Sequence, residues 1–584
     1  MNTLRYLKGH IPAVLAVVAL LAVQVTCELM LPRYMADIVN VGIVQAAGGD
    51  MGYLASMAGS MFALCFGSIA AAAAAGYLAS RLAATIARDL RARLFSRVMQ
   101  LSPAQVNHFT PSSLITRSTN DITQIQMTIV MLLRVVMLAP IMAIVAIIQV
   151  LALGSGLIWI VGAALLAVLA VISVLYVLAM PHFRKMQSLV DRVNLLAREM
   201  LDGVMSIRAF GREGHELEKF DGVSRDLMQT QLFVNRAMIL MMPALTLIMN
   251  LATVAIVWFG AQGVAVGTMQ VGDIMAFITY AMMIVMAFLM ISMVAVLLPR
   301  AEISAGRIDE VLSCDPAVHE PKSPKSLDGA AAHGELSFQD VGFAYPDAEG
   351  MVVEHVSFRT YPGKTVAIIG STGSGKSTLV QLAPRLYDPT EGSISLDGTD
   401  LKDLSLSELR HRIGYVPQQS FLFTGTIASN VAYGTEGLTD EELKRAIHLA
   451  QADDLVAASP EGTDSPIVQG GTNVSGGQRQ RLAIARALAM KPEVLVLDDS
   501  FSALDFATDA RLRRALAEHA GDMAIVVVAQ RVASIMQADE ILVLDDGKVV
   551  GQGTHQELLR DCPTYREIAT SQLSAKELGL EEEV

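Results

Sequence analysis

Apolar residues run almost unbroken through six stretches of the N-terminal half, near 11–36, 53–80, 127–153, 156–180, 238–263 and 273–298. Each is long enough to cross a hydrocarbon core of about 30 Å, which takes about 20 helical residues. Between them, apolar and charged residues mix at helical spacing, as in Ile86-Ala87-Arg88-Asp89-Leu90-Arg91 and Leu195-Leu196-Ala197-Arg198-Glu199-Met200. The pattern predicts six spanning helices that run on well past the apolar layer. After Arg307 it breaks, and Pro316, Pro321, Pro324 and Gly329 mark a linker. From there to about residue 570, β-rich and then alternating strand and helix patterns take over. The expected fold class is an all-α transmembrane domain over 1–310, a linker over 311–334, an α/β domain over 335–575 and an acidic tail over 576–584 that includes Glu581-Glu582-Glu583.

Charge gives the spans a direction. No Lys or Arg lies between Arg33 and Arg81, and none in 151–158 or 261–273. The intervening segments are basic: 81–117 carries Arg81, Arg88, Arg91, Arg93, Arg97 and Arg117, and 181–236 carries nine Lys or Arg between Arg184 and Arg236. Basic connections stay in the cytoplasm, so both termini are expected there, in a multi-pass protein of the cytoplasmic (inner) cell membrane. Arg5 and Lys8 ahead of the first stretch also fit a cleaved secretion signal. Five further spans and the lack of a clear small-x-small site favour an uncleaved helix. Of 44 basic and 57 acidic residues, 21 and 17 fall in 1–310, and 23 and 40 in the remainder. That acidic second half argues against nucleic acid as a partner. Hydrophobic residues at 53%, charged residues at 17% and a mean hydropathy of +0.46 exclude an ordinary soluble enzyme. Cys27, Cys65, Cys314 and Cys562 form no CxxC and read as reduced, structural thiols.

The chemistry sits in the second half. Gly370-Ser371-Thr372-Gly373-Ser374-Gly375-Lys376-Ser377-Thr378 fits GxxxxGK[ST], a loop whose backbone N–H groups cradle phosphates at a helix N-terminus. It follows a predicted strand, Thr365-Val366-Ala367-Ile368-Ile369, and precedes a helical pattern from Leu379. Lys376 would reach the β- and γ-phosphates of ATP, and the Ser377 hydroxyl would ligate Mg²⁺. Asp498, at the end of the strand Val494-Leu495-Val496-Leu497, would supply the carboxylate for that metal. Many P-loop enzymes share these parts.

Val474-Ser475-Gly476-Gly477-Gln478 narrows the choice. It opens a helix shortly before the Asp498 strand, and in this the chain resembles the ATP-binding cassette (ABC) transporters, whose signature is [LV]SGGQ. The resemblance extends over essentially the whole chain. It implies that Tyr345 stacks on adenine, that Gln418 in Tyr415-Val416-Pro417-Gln418 touches the metal and reports to the membrane part, and that Ser502-Ala503-Leu504-Asp505 crosses to an opposing domain. It further implies that two cassettes close head-to-tail, each ATP lying between one P-loop and the partner's Ser475, Gly476, Gly477 and Gln478 equivalents. Phe109–Asp121 and the segment from Ala197 to Glu213 resemble the two intracellular loops by which such exporters dock on their cassettes.

Three positions depart from the family pattern. Asp499 stands where the family usually has the Glu that polarises the attacking water, Gln530 where it usually has His, and Gln469 where many relatives have Glu. An Asp is one methylene shorter, and a neutral amide cannot take up charge as His can. Together they resemble the subunit of a bacterial heterodimeric exporter that binds ATP, hydrolyses it slowly and lends its signature to a second half-transporter. A slow homodimer is the alternative assembly.

Substrate is less legible. The last two spans hold Met238, Met241, Met242, Met249, Met275, Met282, Met283, Met286, Met290 and Met293, which suit adaptable apolar surfaces or ordinary helix packing. Glu28 and Arg134 are ionisable groups inside apolar stretches, open to function or to local pairing. No span carries a chain of polar residues, which disfavours ions and sugars. The expected activity is ATP-driven export of amphiphilic small molecules or lipids. An ATP-gated regulatory or channel-like subunit, or a carrier of siderophores, peptides or thiols, is the alternative.

Overall fold

Among the described residues, six helices are long and apolar enough to cross a membrane. They are α1 (Ile11–Asp37), α2 (Met51–Val98), α3 (Pro111–Ala152, with two π-turns), α4 (Ile158–Asp202), α5 (Glu213–Val266) and α6 (Val271–Ser313). The computed structural model describes residues 5–45, 51–153, 156–327, 334–346, 348–519, 523–574 and 577–578. Glu581-Glu582-Glu583 and Gly329 lie outside them. The chain forms two units, Met1–Phe95 with Leu114–Ser313, and Ser96–Ser113 with Cys314–Val584.

In the first unit the 48 residues of α2 span about 72 Å at 1.5 Å each, more than twice a hydrocarbon core. One apolar cluster joins Val25 and Leu29 of α1, Ala146 and Val150 of α3, Ala164 of α4, Ile256 of α5, and Phe277 and Tyr280 of α6. Small residues such as Ala146 and Ala164 let helices approach, which is what drives packing where lipid is as apolar as leucine. Tyr280, fully buried, donates its hydroxyl to the Leu29 carbonyl at 2.8 Å. Glu28 is paired locally: its carboxylate accepts from Gln24 at 2.9 Å and from Ser68 at 3.0 Å.

Charge closes the other end of this unit. A π-turn over Arg117–Asp121 buries both of its ionic residues. Arg117 donates to the Arg307 carbonyl and to the Glu310 carboxylate, both at 2.8 Å. Asp121 accepts from the Ser304 hydroxyl at 2.9 Å and lies 3.6 Å from Arg307. An extra residue in the helical turn, as a π-turn supplies, brings both side chains to bear on α6.

The second unit is built on a six-stranded sheet in the order β12-β11-β3-β10-β9-β6. These strands are β3 (Thr365–Gly370), β6 (Ile413–Val416), β9 (Val494–Asp498), β10 (Ala524–Val528), β11 (Glu540–Asp545) and β12 (Lys548–Gly553). All are parallel except the edge strand β12. Covered on both faces, the parallel strands read as unbroken apolar runs. Alternate residues part between two cores: Ala367, Leu495, Val527 and Val543 on one side, Ile368, Val496, Val526 and Leu542 on the other. An antiparallel sheet pairs β1 (Leu336–Phe343) with β2 (Val353–Thr360) and β4 (Glu391–Leu396), and β4 with β5 (Thr399–Asp400), while β7 (Gly425–Thr426) pairs with β8 (Pro466–Ile467).

The first loop divides between the units. Pro103–Phe109 is a short helix begun by a capping box at Ser102 and Gln105. Ala104 packs against the apolar core of the second unit, and Gln105 bonds the Asp315 carbonyl at 2.7 Å and the Ala317 N–H at 3.1 Å. Leu114 onward belongs with the membrane helices.

Removing the buried carboxylate should be felt. Asp121→Ala leaves the Ser304 hydroxyl without its acceptor and Arg307 without its counter-charge and should cost about 1–3 kcal/mol. Arg88→Ala, which breaks an exposed pair with Asp89, should change little. Thermal unfolding of the chain in detergent checks both, and equal midpoints for the two variants would contradict this reading.

Candidate functional site

The carboxyl ends of β3, β10, β9 and β6 lie side by side, and each is followed by one of the groups singled out above: the Gly370–Thr378 loop, Gln530, Asp498-Asp499 and Gln418. Open parallel sheets bind ligands along this edge.

The loop needs its glycines. A Cβ on Gly370 would fall on the Leu544 carbonyl of β11, and one on Gly375 would lie 2.7 Å from the Val352 carbonyl. Gly373 and Gly375 have φ of 88° and 91°, a region other residues avoid. The chain then enters α7 (Lys376–Gln381). The Lys376 ammonium donates to the carbonyls of Gly370 at 2.9 Å and Ser371 at 2.6 Å, and to the Ser374 hydroxyl at 3.3 Å. Burial pushes its pKa down, while Asp499 and Asp498 oppose the shift. An ammonium held on oxygens inside a cradle with no room for side chains fits a phosphate, whose oxygens can take over as acceptors.

Asp498, 1% exposed, accepts from the Ser377 hydroxyl at 2.8 Å and from the Tyr415 hydroxyl at 3.4 Å. Burial raises its pKa, and those two hydrogen bonds oppose it. The Ser377–Asp498 pair is the oxygen donor set that suits Mg²⁺.

Asp499 turns the chain sharply. Its φ is 48°, left-handed and uncommon outside glycine. Its N–H bonds the Val528 carbonyl at 3.1 Å, so the turn still closes on β10. Its carboxylate Oδ2 then accepts two amides, Gln530 Nε2 at 2.8 Å and Gln418 Nε2 at 3.3 Å. The group is 7% exposed, and burial raises its pKa despite the bond from Gln418. Asp499 and Gln530, which the sequence reading set against the Glu and His usual in the resembled family, are therefore bonded to each other.

Gln530 is held from behind by a residue no motif flags. At the end of α9 (Pro563–Gln572), Gln572 donates to the Gln530 carbonyl at 2.9 Å and accepts from the Val532 N–H at 2.8 Å. A glutamine in a C-terminal helix carries no sequence signal of this role, and neither did Tyr415. Tyr345 is pinned to the P-loop helix: its hydroxyl lies 3.0 Å from the Thr378 hydroxyl, and its ring meets Phe343 and Tyr387 edge-on.

Ser475 and Gln478 are brought together with each other and not with the P-loop. Ser475 caps α8 (Gly476–Ala489) in a reciprocal box, the Gln478 backbone N–H donating to its hydroxyl at 3.2 Å and the Ser475 N–H to the Gln478 side-chain Oε1 at 2.8 Å. Ser475 and Gly476 are exposed. A Cβ on Gly477 would lie 3.0 Å from the Ala503 carbonyl, so the motif packs on the Ser502–Asp505 turn. Among the described residues, no hydrogen bond joins 475–478 to 370–378. The surface is a finished helix N-terminus facing outward.

Residues 14–288 match the family model of the ABC transporter transmembrane region, and 353–502 that of the ABC transporter. An uncharacterized ABC transporter ATP-binding protein of Mycobacterium tuberculosis is 41% identical over 99% of both chains. An ATP-dependent lipid A-core flippase of Pseudomonas fluorescens is 33% identical, covering 87% of this chain and 82% of its own. A bacterial Atm1-family ABC exporter solved with ATP bound superposes with a TM-score of 0.76 at 26% identity, over 96% of this chain and 98% of that one.

Gln572→Leu should release the loop after β10. Losing one backbone acceptor, worth about 1 kcal/mol, should speed exchange of the Val532 amide about five- to tenfold. Hydrogen exchange read by mass spectrometry tests this, and unchanged protection over 530–534 would contradict it.

Proposed function

Since the chain belongs to the ABC transporter family, we propose that this ABC exporter works as one half of a heterodimer, moving amphiphilic small molecules or lipids at the expense of ATP. In this reading it binds ATP at its own P-loop, hydrolyses it poorly, and completes the partner's site with Ser475, Gly476, Gly477 and Gln478. Lys376 and the loop N–H groups hold the phosphates, Tyr345 meets the adenine, and Ser377, Gln418 and Asp498 hold Mg²⁺, which when bound neutralises charge on the phosphates.

The contact between Gln530 and Asp499 carries the proposal. A carboxylate that orients water must present an oxygen toward the γ-phosphate. Asp499 is shorter than Glu by about 1.5 Å, and misplacement by about 1 Å costs about 100-fold. Its Oδ2 already holds the amides of Gln530 and Gln418. Basicity is not the defect, since burial raises the Asp499 pKa and would make it a better base. Reach is the defect. Gln530, for its part, spends one amide hydrogen on Asp499 and bears no charge.

Other features support pairing in a membrane. ABC transporters act as dimers, and Leu201, Met205 and Phe210 stand 75%, 77% and 82% exposed on the segment that resembles the second docking loop. Such apolar groups want cover. The basic connections favour cytoplasmic termini. The lipid A-core flippase relative and the methionine-rich last spans support an amphiphilic cargo.

Purified alone, the chain should show little ATPase, and co-expression with a second half-transporter that keeps Glu and His should restore it. Strong ATPase from this chain alone, abolished by Lys376→Ala, would overturn the heterodimer. In the assembled complex, Gly477→Asp sets a carboxylate beside the partner-held γ-phosphate, a like-charge clash. It should cut turnover by well over tenfold and more than Lys376→Ala does, and the reverse order would count against the donated half-site.

A further inference from the structure

The chain between β6 and β7 has no regular structure, yet from Ser420 to Phe423 each residue is tied to α8, directly or through one other residue. The Ser420 hydroxyl donates to Gln480 Oε1 at 2.7 Å. The Phe421 carbonyl accepts from the Arg486 guanidinium at 2.9 Å. The Leu422 carbonyl accepts the Gly470 N–H at 3.0 Å, and the Gly470 carbonyl accepts from Arg479 at 3.1 Å. The Phe423 N–H and carbonyl both bond the Asn430 side chain at 2.8 Å, and Asn430 accepts from Arg486 at 2.8 and 2.9 Å.

Gln480 differs from the other ties. It is 3% exposed, and its Nε2 is buried with no hydrogen-bond partner among the described residues. A buried donor left unpaired costs more than one hydrogen bond returns, so an apolar side chain of the same length would serve stability better. What the glutamine supplies is a position. Its Oε1 holds Ser420, two residues past Gln418, and Gln418 reaches the Asp499 carboxylate at 3.3 Å. Gln480 itself stands one helical turn past Gly476 and Gly477, on the helix that Ser475 caps. One buried bond therefore joins the segment that carries Gln418 to the helix that carries the signature.

We propose that Gln480 is a positioning residue for ATP hydrolysis: through Ser420 it makes the Gln418 segment and the signature helix one piece, so that Gln418 is set for Mg²⁺ at this P-loop as Ser475–Gln478 are presented outward. It rests on the reading of Gln418 as a contact of the metal, and it does not depend on the heterodimer. Gln480 acts through Ser420 and Gln418, and its replacement is expected to disturb placement while leaving the P-loop able to bind nucleotide.

The full-length chain in detergent, given a non-hydrolysable ATP analogue and titrated with Mg²⁺, tests this. Gln480→Met keeps the length and removes both polar atoms, and Ser420→Ala removes the donor. Each should raise the Mg²⁺ needed for half-maximal binding at least about threefold, the worth of one hydrogen bond, with binding in the absence of Mg²⁺ unchanged. The Gln480→Met thermal midpoint should hold or rise, which a merely structural role would not allow. Ser420→Thr keeps the hydroxyl and should behave as the unaltered chain. Combining Gln480→Met with Ser420→Ala should add nothing to either alone, since both remove the same bond. Hydrogen exchange over 476–479 should slow when the analogue binds with Mg²⁺, and both variants should lose that response. An unchanged Mg²⁺ dependence with an intact exchange response in both variants would overturn the proposal. So would additive effects of the two, or a Gln480→Met midpoint lowered by several degrees. Gln418→Ala checks the metal reading separately: if it leaves the Mg²⁺ dependence as it was, that reading fails, and the exchange response alone decides for or against Gln480.

Discussion

The parallel ladder from β3 through β10 and β9 to β6 is the constraint on which the candidate site depends. Its register aligns Ile368 with Val528, Val528 with Asp498, and Leu497 with Val416. Four loops that are far apart in sequence therefore leave the sheet at one level. No loop could bring Lys376, Gln418, Asp499 and Gln530 together alone. Burial on both faces holds that register, because a one-residue slip would exchange the two apolar sets. The apolar runs of the sequence thus have a chemical consequence, which is the alignment of polar groups at their ends.

Asp499 shows how such an edge can be altered at small cost. Its left-handed backbone and its bond to the Val528 carbonyl are properties of the turn, independent of side-chain length. Shortening Glu to Asp keeps the turn and changes only where the carboxylate ends. Placed there, it meets Gln530 and Gln418, and a buried carboxylate that has found two amide donors is stabilised where it is. The residues at 499 and 530 sit as a pair, since the Gln530 amide donates to the Asp499 carboxylate. Gln572 then fixes the loop that carries Gln530. The C-terminal helix thereby becomes part of the site's framework.

Much of this was legible in the chain. The six spans follow from length and hydropathy, and the loop from Gly370 to Thr378 from its glycines and flanking strand. The signature at 474–478 was readable as a helix start, and the structure adds the capping box between Ser475 and Gln478. What could not be read are contacts set by strand order. That Gln530 touches Asp499 depends on β10 lying beside β9, and that Gln418 does so depends on β6 lying beyond it. The π-turn at Arg117–Asp121 was hidden for a related reason, since one extra residue per turn leaves no mark in composition.

The most direct test isolates this P-loop. In an assembled complex whose other P-loop lysine is replaced by alanine, a single turnover of ATP bound at Lys376 can be followed by rapid quench. If the Asp499–Gln530 contact limits hydrolysis, the unaltered site should hold its ATP for many cycles' worth of time. Asp499→Glu with Gln530→His should then cleave it at least about 100-fold faster, with each single change giving much less. Equal persistence of ATP in the double variant would show that another feature disables the site. Fast cleavage in the unaltered complex would show that it was never disabled.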